Sequence, residues 1–179
     1  HSTASYEQAE AAAAAGATLV THCFNGMGPL HHREPGLLGA ALSDDRLAVS
    51  VIADLVHVHP AVLRTVFRAK GRGRVVVVTD AVAVDAADLR ELGVRFDGRA
   101  PTLPDGTIAG SAVTMDQSVR NLVEHAAVEL EDAVYAASTA PAAVVGEPER
   151  GRLAPGCVAD LVALDGDHVM IVGVAVKPA

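Results

Sequence analysis

Eight histidines, against three phenylalanines, two tyrosines and no tryptophan, skew the ring chemistry of this chain toward imidazole. A neutral imidazole nitrogen binds zinc and similar metals, and its proton affinity near neutrality suits general acid and base work. His1 and His22 fall near the ends of successive strand candidates and can supply two ligands of a catalytic metal site, which usually takes about three protein ligands and a water. Asp80, closing the run RVVVVTD, is then placed to handle the proton of a metal-bound water. Taken singly, each histidine also fits a hydrogen-bonded strand-end or capping residue, and Asp80 also fits an N-cap or a turn after a strand. In the loop NGMGPLHHREPG, His32 and Glu34 read as solvated surface, whereas Arg33 can grip phosphate or carboxylate through two parallel hydrogen bonds if the substrate is anionic. The run TIAGS, Thr107 to Ser111, leads toward a helix at Val113. Its amides either face a ligand or make an ordinary turn, and it is neither a GxGxxG nor a Walker sequence.

The elements that must position these residues alternate. Ser5 and Gln8 make a capping box for a helix over Glu7 to Ala15, with Gly16 as its C′ residue. TLVTHCF (Thr18 to Phe24) reads as a buried strand, Pro35 to Leu42 as a short helix, and Leu47 to Val58 as a second strand with Asp54 and His57 toward its end. Pro60 suits the first turn of a helix through Ala69. The valine run is then a strand covered on both faces, as parallel strands of α/β proteins are. Helix, strand, helix, strand, helix, strand predicts a parallel sheet with His22, His57 and Asp80 at one edge. Beyond Asp80 the dipeptides Asp97-Gly98 and Asp105-Gly106 predict short hairpins with type I′-like turns. Helices follow over Val113 to Glu129, Glu131 to Ser138 and from Pro141. Past a polar linker, Gly146 to Gly151, ADLVALDGDHVMIVGVAV predicts two strands turning at Asp165-Gly166.

The totals exclude some functions. A net charge of −8 with scattered arginines disfavours a nucleic-acid surface. Cys23 and Cys157 fit no zinc-ribbon or CxxC spacing, so a reducing compartment, the cytoplasm, is expected. The apolar run Ala11 to Ala15 is only alanines with no basic flank, so neither a signal peptide nor a membrane span is expected. The chain opens on a histidine followed at once by helix-start chemistry, and this reads as the later part of a larger protein.

Together, THCFNGMGPLHHREPG, IADLVHVHP, VVVVTDA and TIAGSAVTMDQSVRNLVEH resemble the N-acetylglucosamine-6-phosphate deacetylases of the amidohydrolase superfamily, and GRLAPGCVADLVALD resembles the superfamily's tail. The resemblance implies the carboxyl-terminal part of a (β/α)8 barrel over residues 1–150, with strands of a small β-sandwich domain over 151–179. It implies a divalent metal, zinc or iron, and a homodimeric parent. By position, His1 and His22 match the metal-binding histidines and Asp80 the catalytic aspartate. Asn25, Gly26, Arg33 and His57 match substrate contacts, Arg33 at the phosphate, and Ile108, Ala109 and Gly110 match the segment closing over the sugar. Gly26 stands where the family pattern has alanine, and the family's metal-binding glutamate lies ahead of His1. The expected reaction is hydrolysis of the acetamide of an amino-sugar phosphate. The alternatives are another amide substrate of the superfamily, or a non-catalytic piece that pairs with a separate first half.

Overall fold

The computed structural model describes residues 1–83, 91–165 and 168–173, the last six through their backbone alone. Its centre is a parallel sheet of three strands in the order β1-β2-β3: β1 Leu19–Val20, β2 Ala48–Ile52 and β3 Val75–Val78. Leu19 pairs with Ala48, and Val49 to Ile52 pair with Val75 to Val78. Val49, Val51 and Ile52 of the middle strand are fully buried, so both of its faces are covered. This is the environment that unbroken β-branched runs require.

Helices connect the strands. α1, Tyr6–Ala14, starts at Ser5 with the expected capping box: Gln8 N–H donates to Ser5 Oγ at 3.3 Å and Ser5 N–H to Gln8 Oε1 at 2.8 Å. α2 spans Gly36–Ser43, and α3 spans Pro60–Lys70, capped by His59, with Leu63 and Val66 buried. Beyond β3, the pairs β4 Arg95–Phe96 with β5 Pro101–Thr102, and β6 Leu161–Asp165 with β7 His168–Gly173, are antiparallel. Between them lie α4 Met115–Glu124, α5 Leu130–Ala137 and α6 Thr139–Val144. Gly166, the expected turn residue of the last hairpin, and residues 174–179 lie outside the described residues. No helix among the described residues is long and apolar enough to cross a membrane.

Several expected elements are shorter in the structure. The strand anticipated over Thr18 to Phe24 stops at Val20, because His22 and Phe24 take φ of 31° and 80°, incompatible with a strand. The one anticipated to Val58 stops at Ile52. There Asp54 Oδ1 accepts from the backbone N–H groups of Val56 and His57, at 3.0 and 2.9 Å, and Leu55 takes φ 64°. A side chain that captures nearby amides offers the backbone an alternative to the ladder. Asp97 and Asp105 act in the same way, bonding the amides of Arg99 and Thr107 rather than forming two-residue I′ turns. α4 ends at Glu124, five residues short of expectation, before Ala127 at φ 50°. α6 begins two residues ahead of Pro141, whose missing N–H would have no helical partner in the first turn.

Truncating Leu63 to Ala, at full burial, is expected to cost roughly 2–5 kcal/mol of stability, and Ser5→Ala about 1 kcal/mol. Denaturant unfolding reads both. A loss under 0.5 kcal/mol at Leu63, on the order of a surface substitution, would contradict the core drawn above.

Candidate active site

Parallel strands deliver their carboxyl ends to one edge of the sheet, and the residues singled out by chemistry collect there. Two isolated parallel bridges flank that edge: Ser2 with Met27 outside β1, and Ala81 with Ser111 outside β3. The first brings the start of the chain alongside the loop after β1, where Ser2 N–H donates to Gly26 C=O at 2.9 Å. The rings of His1 and His22 consequently lie with centroids 4.9 Å apart, tilted by 59°. Gly26, at φ 63°, makes this approach possible, since a Cβ there would lie 2.5 Å from His1 Cδ2.

His22 is held through its backbone, with its N–H donating to Ser50 Oγ of β2 at 2.7 Å. Its ring Nδ1 is buried and has no hydrogen-bond partner among the described residues. A buried imidazole nitrogen in that state is costly unless something coordinates or hydrogen-bonds it. Two facing imidazoles, one with an orphaned nitrogen, fit two positions of a divalent metal's coordination sphere. Among the described residues no group of three His, Cys, Asp or Glu side chains is assembled. Neighbouring Cys23 is fully buried, and burial pushes its thiol up to about 11.

His57 and Asp54 form a second unit. The Asp54 carboxylate can only accept, so His57 Nδ1–H donates to Asp54 Oδ2, at 2.6 Å, between side chains 7% and 5% exposed. The contact places the proton on Nδ1 and leaves Nε2 as the nitrogen for other work. Burial raises the Asp54 carboxyl, but the hydrogen bonds from the His57 ring and from the His57 and Val56 amides outweigh it and hold the group below its ordinary value. Asp54 carries no motif signal beyond its place ahead of His57. Its role emerges only once the chain turns at Leu55.

Asp80 is exposed, at φ 50°, with Ser111 against its backbone. In the 107–111 run, the N–H groups of Thr107, Ala109 and Ser111 are engaged by Asp105 Oδ1, Pro101 C=O and Asp80 C=O, so alternate amides are committed inside the protein. Ile108 is 39% exposed. Asn25 turns back on its own loop, its Nδ2 donating to His22 C=O at 3.2 Å. Arg33 stays with its sequence neighbours: its guanidinium donates to His32 Nε2 at 2.8 Å and its backbone N–H to His31 Nδ1 at 3.3 Å. The described contacts join His1 to His22 and His57 to Asp54. They do not join Arg33 to either pair.

The Amidohydrolase family model matches residues 1–178. The chain belongs to the amidohydrolase family. Among its relatives, the N-acetylgalactosamine-6-phosphate deacetylase of Escherichia coli O157:H7 is 42% identical over 176 residues, 94% of this chain and 46% of its own. The solved N-acetylglucosamine-6-phosphate deacetylase of Pasteurella multocida superposes with a TM-score of 0.87 at 30% identity, over 98% of this chain and 48% of that one. The Mycobacterium smegmatis deacetylase, solved as a mutant in complex with N-acetyl-D-glucosamine-6-phosphate, gives 0.81 at 37% identity, over 92% of this chain and 45% of its own. The chain thus spans about half the length of these relatives.

Because the Asp54 carboxyl titrates below its ordinary value of about 3.9, its contribution is fully present above pH 4 or so and is lost as pH falls through the lowered value. Asp54→Asn is expected to lower stability by about 1–3 kcal/mol at pH 7 and to flatten the acid limb of an unfolding titration. Identical acid limbs in the two proteins would remove the Asp54–His57 contact from the account.

Proposed function

We propose that residues 1–150 are the carboxyl-terminal part of a (β/α)8 barrel and 151–179 strands of a small β-sandwich domain. In this reading the chain carries the proton-handling half of a metal-dependent deacetylase. The reaction is hydrolysis of the acetamide of N-acetylglucosamine 6-phosphate to glucosamine 6-phosphate and acetate. The observation that carries the reading is the His1–His22 pair, 4.9 Å between centroids with His22 Nδ1 buried and unpartnered, on the sheet edge that also bears Asp80.

His1 and His22 are the metal ligands of this proposal, completed by the glutamate that the family pattern places ahead of His1. When bound, a divalent cation such as zinc or iron polarises the amide carbonyl and acidifies water. Asp80 takes a proton from the attacking water and returns it to the amine nitrogen as the C–N bond breaks, which conserves protons across the step. Asn25, Gly26 and Arg33 hold the sugar phosphate, Arg33 by charge at the phosphate. His57 offers Nε2 to the sugar, and Ile108, Ala109 and Gly110 close over it. A cytoplasmic homodimer is the setting the reading implies. A second substrate, N-acetylgalactosamine 6-phosphate, is favoured by the name of the 42% identical relative.

The test is acetate release from both 6-phosphates with added zinc or ferrous iron, by the chain alone and mixed with a separately expressed amino-terminal half of a relative. Asp80→Asn is expected to lower kcat by roughly 10²–10⁴-fold with KM little changed. Arg33→Ala should raise KM while kcat is retained, since a remote phosphate contact that binds ground and transition states alike acts on KM. No acetate in either arrangement would sink the proposal.

A further inference from the structure

Asp80 sits at φ 50°, a left-handed conformation uncommon for residues with a Cβ, at the point where β3 has just left its ladder. One local contact spans the turn, with Ala81 N–H donating to Thr79 Oγ1 at 3.4 Å. Its other supports come from Ser111, far along the chain and 0% exposed. Ser111 Oγ–H donates to Thr79 C=O, its N–H donates to Asp80 C=O at 2.8 Å, and its C=O accepts from Val82 N–H at 2.9 Å. Ser111 Oγ also accepts from Val113 N–H at 3.4 Å. The residue before Asp80, Asp80 itself and the second residue after it are therefore all tied to one serine. Gly110, at φ 83°, completes the contact. A Cβ there would lie 3.0 Å from Asp80 O and 2.7 Å from Val82 Cγ1, so the two backbones touch.

We propose that Ser111 is a positioning residue that fixes the Asp80 backbone in the left-handed region and thereby aims its carboxylate. The proposal rests on Asp80 as the proton-handling group. An aspartate carboxylate is only two bonds from Cα, so a change in φ or ψ swings it directly, and misplacing a reacting group by about 1 Å can cost ~10²-fold in rate. Alanine would keep the Ser111 N–H bond but release the Thr79 carbonyl. Cysteine would keep a weak donor in nearly the same space.

The experiment compares wild type, Ser111→Ala and Ser111→Cys in the active assembly, each with and without Asp80→Asn, and follows the backbone 13C resonances of Asp80. Ser111→Ala is expected to lower kcat by about 10- to 100-fold with KM unchanged, and to shift the Asp80 resonances. Ser111→Cys should recover part of the rate and serves if the alanine variant fails to fold. In the Asp80→Asn background the same change should cost less than about 2-fold, because the carboxylate it aims is gone. An unchanged kcat, an equal factor in both backgrounds, or unmoved Asp80 resonances would overturn the proposal. If wild type hydrolyses neither sugar phosphate in any arrangement, the deacetylase reading fails, and the resonances alone decide whether Ser111 holds Asp80.

Discussion

The constraint on which the site depends is that β1 and β3 both run parallel to β2, a strand paired on both sides and covered on both faces. Once β1 and β3 lie parallel to it, their carboxyl ends and everything attached to them emerge at the same edge. His22, His57 and Asp80 come from three separate stretches of chain, and only this shared direction puts them on one edge. The apolar surface that drives it is that of Val49, Val51, Val75 and Val77, packed with Leu63, Val66, Val119 and Leu122 from the helices.

A sheet that stops has to satisfy the backbone groups it releases. Here short polar side chains do so. Ser50 Oγ accepts from His22 N–H, Asp54 accepts from two amides just past β2, and Ser111 takes up carbonyls just past β3. Asn121, buried on α4, donates from Nδ2 to Ala53 C=O at 2.8 Å and accepts from Gln117. Each of these residues lies within or against the core, and each touches the backbone immediately beside a residue assigned to chemistry. The polar interior is a collar around the edge of the sheet, and its contacts set where the strands end and which way their last side chains turn.

Parts of this were legible in residue order alone. Alternation of helix and strand, the capping box at Ser5 and the N-terminal proline of α3 come from local chemistry acting within four residues, as does the presence of turns at Asp97 and Asp105, though not their expected I′ form. The motif resemblance likewise led to the amidohydrolase family, because it is carried by contiguous runs such as THCFNGMGPLHHREPG and VVVVTDA. The sequence marks Asp54 only by its place near His57 and Ser111 only as the end of the TIAGS run, and the partners of both are set by turns that strand-like sequence conceals.

The set of elements, their order and the family are properties of neighbouring residues and of hydrophobic period, so residue order alone carries them. Tertiary contacts place His1 against His22, tie the His22 amide to Ser50 Oγ, and commit the Ser111 amide to Asp80. The physical reason is distance along the chain. These outcomes depend on hydrogen bonds and close approaches between segments tens of residues apart, which exist only after β1, β2 and β3 have been laid side by side.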